Sequence, residues 1–255
     1  MSYGEQREKF DRDGHLLVRG VFEGEQLDGL VEDFDRIVAQ LEGSGESVDA
    51  RWNGAAMDAL DGGSSRIVHT HNVQQYSARW LAAFTHPPLL DVTRALLGPD
   101  VLLHHSKLFC KPPRAGSPFP LHQDWSYFPT ERDSMIACVI HLSEADEESG
   151  CLRTVPGSHR RGRVSGSSGQ AESSAPFAWD ESVPHAASPG DVLFFHCFTY
   201  HGSGPNRSAH ARKTVLAQLM SGGDRLEDPS GHPHEDLVLS GFHSGATRSS
   251  AGRAK

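Results

Sequence analysis

Pro120-Leu121-His122-Gln123-Asp124-Trp125 and Phe194-Phe195-His196-Cys197-Phe198-Thr199-Tyr200-His201-Gly202-Ser203 hold a His-x-Asp pair and a distal histidine, with His201 seventy-seven positions past Asp124. Two imidazoles and one carboxylate can occupy one face of an octahedral metal and leave three positions open, the facial triad diagnostic of non-haem Fe(II) oxygenases. Residues i and i+2 of a strand point to the same side, so an extended segment lets His122 and Asp124 address one ion. His201 is read at the end of the strand that opens at Asp191. Alternation there puts Leu193, Phe195, Cys197 and Thr199 on its side and His196 on the other. A lone His-x-Asp is frequent by chance, and a lone strand-end histidine has an ordinary structural explanation. The trio followed eleven residues later by Arg212 is harder to dismiss. A guanidinium offers a planar fork that matches a carboxylate with two parallel bonds.

Around these motifs the chain changes character at Gly98. Before it, helical spacing is clearest from Glu25 to Leu41, where Leu27, Leu30, Val31, Phe34, Val38 and Leu41 form one apolar stripe closed by Gly43. Phe10 to Phe22 reads as a short helix or turn, broken at Gly14, and then a strand. Tyr76 to Phe84 and Leu89 to Leu97 read as two more helices, the second opened by Pro87-Pro88. After Gly98 come short apolar runs, predicted as strands: Val101 to Cys110, Met135 to Leu142, Cys151 to Val155, Asp191 to Phe198 and Lys213 to Met220. Turn residues such as Pro156-Gly157-Ser158 and Ser188-Pro189-Gly190-Asp191 separate them. Helices first and strands after predict an α+β chain with a sandwich or barrel core. The expected organisation is a single domain over 1–255, helical to about 98, with the β core from about 99 to 225. The Gly/Ser/Asp-rich residues 43–64 are read as a loop, 160–184 as a mobile loop or lid, and 244–255 as a loose tail.

Bulk properties narrow the partners. A net charge of -9 argues against nucleic acid or an anionic membrane surface. No apolar run approaches the roughly 20 residues of a membrane helix, and the polar first residues do not read as a secretory signal. The expected setting is cytoplasmic, as a monomer or homodimer acting on a small molecule. Cys110, Cys138, Cys151 and Cys197 lack CxxC spacing and lie in apolar runs, so reduced core thiols are expected.

From Lys107 to Met220 the sequence resembles the phytanoyl-CoA dioxygenase family of Fe(II)/2-oxoglutarate oxygenases. The matching pieces are Phe109-Cys110-Lys111-Pro112-Pro113, His122-Gln123-Asp124 running on to Tyr127-Phe128-Pro129, and Ser149-Gly150-Cys151-Leu152 before Pro156-Gly157-Ser158-His159. Pro189-Gly190-Asp191 through His201-Gly202-Ser203, Asn206-Arg207 and Arg212 complete the set. The Asp13-Gly14 pair before a strand is similar to the family's opening. The resemblance implies a double-stranded β-helix (jelly-roll, cupin-like) core flanked by N-terminal helices. It implies Fe(II) held by His122, Asp124 and His201, and 2-oxoglutarate as cosubstrate with its C5 carboxylate on Arg212 and Ser203. Dioxygen completes the reaction. It further implies that Lys107 lines the cosubstrate, joined by Arg66 from an upstream strand, and that Ile140 stands where some relatives carry tryptophan in the pocket wall.

Trp125, beside a metal ligand, is the residue expected to face a substrate, with His141, His69 and His71 as further pocket candidates and Arg207 turned to solvent. Hydroxylation of a small metabolite, in secondary metabolism, with release of succinate and carbon dioxide is the favoured reading. A halogenase needs the Asp124 position vacant for chloride. Epimerisation, desaturation and oxidative cyclisation use the same residues and stay open. A cupin-type metal sensor is the non-enzymatic alternative, but a sensor has no need of Arg212.

Overall fold

Helical spacing gives way to alternation at Gly98, and the architecture follows that change. The computed structural model describes residues 1–52, 57, 65–167, 176–228, 232 and 236–248. Parts of the expected loops and tail (53–56, 58–64, 168–175 and 249–255) lie outside them.

Helix α1 spans Tyr3–Asp13. Ser2 caps it reciprocally with Glu5, and Gly14, in the left-handed region at φ 77°, ends it. Helix α2, Gly24–Glu42, fully buries Leu30 and Phe34 of the predicted stripe and, beside them, Ile37, which that stripe did not include. Each such side chain contributes about 1.5–3 kcal/mol. Helices α3 (Ala78–Phe84) and α4 (Pro87–Leu97) follow, α4 starting on two prolines whose missing N–H groups cost nothing in a first turn.

The strands are β1 (His15–Val18), β2 (Val68–His71), β3 (Val101–Lys111), β4 (Phe119–His122), β5 (Ile136–His141), β6 (Leu152–Thr154), β7 (Val183–Pro184), β8 (Val192–His196), β9 (His201–Ser203), β10 (Arg212–Ser221) and β11 (Leu237–Ser240). They form a seven-stranded antiparallel sheet in the order β1-β8-β5-β10-β3-β11, with β2 also on β3, and a four-stranded sheet in the order β4-β9-β6-β7. The two sheets curl into a double-stranded β-helix. On the outer face of the large sheet, Ile136, Cys138, Ile140, Phe194 and Val215 pack under helix residues Phe34, Trp80 and Leu89. On its inner face Ala137, Val139, Leu193, Phe195 and Leu216 look toward the small sheet. That period-two sorting decides which residues of each strand reach the interior.

Several boundaries differ from the sequence reading. The run from Asp191 does not reach His201 as one strand: β8 stops at His196, the chain turns through 197–200, and His201 opens β9 in the other sheet. Part of 160–184 is built in, since β7 pairs with β6 and Arg163 binds Asp133, Glu227 and the Thr130 carbonyl. The turn before β8 needs Gly190: at φ 90°, a Cβ there would meet the Phe22 carbonyl at 2.0 Å. All four cysteines are buried as free thiols.

Candidate active site

His122 is the last residue of β4, and Asp124 lies past its end in a helical backbone conformation (φ -85°, ψ -23°). The pair therefore does not sit at i and i+2 of one extended strand. The turn is held by the Asp124 and Trp125 amides donating to the Cys197 carbonyl, and it swings the carboxylate back toward the histidines. His122 is paired with His201 across β4 and β9. Asp124 Oδ1 lies 3.6 Å from Nε2 of His122 and 3.6 Å from Nε2 of His201.

Tautomers follow from the hydrogen bonds. His122 Nδ1 donates to the Pro120 carbonyl at 2.8 Å and His201 Nδ1 to the Thr199 carbonyl at 3.0 Å. A carbonyl only accepts, so each Nδ1 carries a proton, and in the neutral ring Nε2 keeps its lone pair for a metal. Burial, then His201 nearby, pushes His122 down to about 3. Burial opposes ionisation of Asp124. The adjacent imidazoles, Lys107 and a bond from Gln218 outweigh it and hold the carboxyl below its ordinary value. Neutral imidazoles and an ionised carboxylate are the forms a divalent cation needs. Among the described residues these three are the one group of His, Cys, Asp and Glu whose ligand atoms all lie within 4.8 Å. The donor set fits Fe(II).

The triad opens onto a cavity of about 440 Å³ between the sheets. At its inner end Arg212, only 2% exposed, donates through Nη1 to the Gly150 carbonyl at 2.9 Å, and its buried Nε has no hydrogen-bond partner among the described residues. Lys111, fully buried, is its cross-strand partner and donates to Ser203 Oγ at 2.7 Å and to the Gly204 carbonyl at 2.6 Å. Burial pushes Arg212 down to about 10 and Lys111 well below its ordinary value, Lys111 further because Arg212 is near. Among the described residues no carboxylate acts on either side chain. A buried guanidinium and the Ser203 hydroxyl on the cavity wall, with Lys111 bonded behind Ser203, fit the distal carboxylate of a dianion such as 2-oxoglutarate.

Further out on β3 and β10, Phe109, Thr214, Leu216 and Lys107 line the cavity, and burial lowers the Lys107 ammonium. Trp52 packs its edge on the His122 ring at 4.7 Å and on Phe119 at 5.0 Å. His69, pushed down to about 3 by burial, and His71, pushed down to about 4, form the polar wall.

Four sequence expectations do not hold as to place. Arg66 is turned outward and pairs with Glu42 at 2.6 Å, its side chain 53% exposed. Ile140 pairs with Val215 and packs under the helices, because strand parity sends Val139 inward instead. Trp125 donates from Nε1 to Gln123 and Ser167 and stacks under Arg163, so Tyr127 takes the cavity face. His141 is fully buried and does not line the cavity, its ring bonded to the Asp191 carbonyl. Arg207 is exposed. Lys111, Gln218 and Trp52 were not foreseen. Lys111 had a signal, since it shares strand parity with Lys107 and Phe109.

Residues 10–214 match the family model for phytanoyl-CoA dioxygenase (PhyH). The chain belongs to the phytanoyl-CoA dioxygenase family. It is 28% identical over 225 residues to a probable alpha-ketoglutarate-dependent hypophosphite dioxygenase of Stutzerimonas stutzeri, covering 83% of this chain and 76% of that one. Against the peroxisomal phytanoyl-CoA dioxygenase of Bos taurus, identity is 25% over 247 residues, 91% of this chain and 73% of the relative. Among solved structures it resembles the epimerase SnoN in complex with Fe3+, alpha ketoglutarate and nogalamycin RO. The TM-score is 0.74 at 21% identity, over 94% of this chain and 96% of that one. By family this phytanoyl-CoA dioxygenase relative is an Fe(II)/2-oxoglutarate-dependent enzyme that uses dioxygen.

Proposed function

We propose that this chain hydroxylates a small-molecule metabolite, in secondary metabolism, with one dioxygen and one 2-oxoglutarate consumed and succinate and carbon dioxide released. The observation that carries this reading is the one-sided triad of His122, Asp124 and His201 facing a cavity whose inner end is cationic and whose walls are aromatic. His122, Asp124 and His201 would hold the iron, which when bound supplies the dioxygen chemistry that couples 2-oxoglutarate decarboxylation to substrate oxidation.

The remaining work is the protein's. Arg212 and Ser203, the latter backed by Lys111, bind the far carboxylate and so fix which end of the cosubstrate reaches the triad. Phe109, Phe195, Val139 and Leu216 keep that path dry, which strengthens each charge contact inside it. Trp52, Phe119 and Tyr127 offer a flat apolar wall to the substrate, and the neutral His69 and His71 offer hydrogen bonds without charge. Asp124 fills the position that a halide would need, which favours oxygen transfer.

The second reading, epimerisation or carbocyclisation, is supported by the likeness to SnoN and to the carbocyclase SnoK, the latter with a TM-score of 0.70. The test incubates the chain with Fe(II), 2-oxoglutarate and fractionated metabolite pools and follows succinate and product mass. Stimulated succinate with a product heavier by one oxygen supports hydroxylation. Stimulation with unchanged product mass, or a loss of two hydrogens, overturns it in favour of the second reading. No succinate under any condition overturns both.

A further inference from the structure

Each of the three triad residues has one partner behind it, and the partners differ in kind. Those of His122 and His201 are backbone carbonyls two residues upstream, from Pro120 and Thr199. No side-chain substitution removes either. The Asp124 carboxylate is held instead by a side chain from the opposite sheet: Gln218 Nε2 donates to Oδ2 at 2.8 Å. Its other oxygen, Oδ1, is the one facing both imidazoles.

Gln218 is well suited to this. It follows Arg212, Thr214 and Leu216 on the inward face of β10, so one strand carries both the cosubstrate clamp and the bond to Asp124. It is 1% exposed, and its cross-strand partner His105 is fully buried. The pairing of β10 with β3 shifts immediately after Gln218, leaving His104 as the extra residue of a bulge; bulges beside active sites re-aim side chains. The amide orientation is forced as well. A carboxylate accepts only, so nitrogen must face Asp124, which leaves Gln218 Oε1 buried with no partner among the described residues. A buried acceptor left unmatched is a cost the fold bears for this one bond.

We propose that Gln218 is the positioning residue that makes Asp124 a one-oxygen ligand. By engaging Oδ2 it keeps that oxygen off the metal, so the positions opposite the triad stay open to a chelating cosubstrate and dioxygen. The inference rests on the metal reading of the triad and adds a residue to it.

The experiment compares wild type with Gln218→Met, which keeps the length and loses the donor, and Gln218→Glu, which replaces the donor with a charge. Fe(II) affinity is measured without oxygen, and 2-oxoglutarate is then titrated at saturating Fe(II) by the visible absorption of the complex. Thermal melting reports folding. Expected for Gln218→Met is a roughly 10–100-fold loss in metal affinity, weakened 2-oxoglutarate binding even at saturating metal, and an altered spectrum with unchanged melting. In an Asp124→Ala background the same change should have no further effect on metal affinity, since its partner is gone. If one Gln218 variant fails to fold, the other is read alone. Wild-type metal and cosubstrate binding in a folded Gln218 variant, with His122→Ala devoid of metal, overturns the role of Gln218 alone. Metal retained in His122→Ala overturns the triad reading instead.

Discussion

Arg212→Ala removes a guanidinium that is 2% exposed and has no carboxylate partner among the described residues. If that charge receives the distal carboxylate of 2-oxoglutarate, deleting it strands a buried anion, and breaking a buried pair from one side costs about 3–5 kcal/mol. At 1.4 kcal/mol per tenfold this is roughly 100-fold to a few thousandfold in affinity. Ser203, on the cavity wall and bonded to Lys111, still offers a hydroxyl at that end, so the lower figure of about 100-fold is expected. Arg212→Lys should recover part of the loss, because an ammonium cannot form two parallel bonds. The assay is anaerobic titration of 2-oxoglutarate with Fe(II) present. Iron affinity, measured separately, should change little, since the triad and Arg212 are separate groups. The variant also leaves the Gly150 carbonyl without its donor, so a lower melting temperature is expected and binding is measured well beneath it. Exposed Arg207 is the control. Loss of affinity in Arg207→Ala with Arg212→Ala within about threefold of wild type would refute the assignment.

Alanine at His122, Asp124 or His201 should each abolish 2-oxoglutarate turnover and lower Fe(II) binding, checked by metal analysis and succinate release; full activity in any one removes that residue from the site. Asp124→Gly should stop hydroxylation and open a position to water or halide, so wild-type rate at micromolar iron would make Asp124 structural. Stability should fall as pH drops from about 6.5 toward 4, because burial lowers His15, His141 and His185 to about 4, 4 and 3. The unfolded chain then binds protons that the folded chain refuses. Their neutral-form contribution is whole above the ordinary value of 6.5 and lost below it. His141, fully buried, is worth roughly 3 kcal/mol once pH is under both values. Chemical denaturation between pH 7.5 and 4.5 checks this; a flat profile would contradict it.

The sequence made the helices legible where one face is apolar, as in Leu30 and Phe34, and made the strands legible as short runs between turns. His122, Asp124, His201 and Arg212 could be singled out because metal and carboxylate chemistry restrict residue type and spacing. What spacing does not carry is parity and docking. Whether Val139 or Ile140 faces inward depends on the pairing with β10, a register fixed only when the sheet is assembled. Trp52 comes from a Gly/Ser/Asp-rich stretch with no periodicity, yet tertiary packing lays it against His122. Arg66 carries the charge a pocket wants, but Glu42 lies nearer.

The carbonyls of Pro120 and Thr199 hold both imidazoles aimed before any ion arrives. A site so prepared has little means of telling iron from its neighbours in the periodic table. For nitrogen and oxygen donors of fixed geometry, cobalt, nickel and copper all bind more tightly than Fe(II). Which ion the protein carries is then a matter of supply, and a preparation passed over a nickel resin acquires an inhibitor where its cofactor belongs.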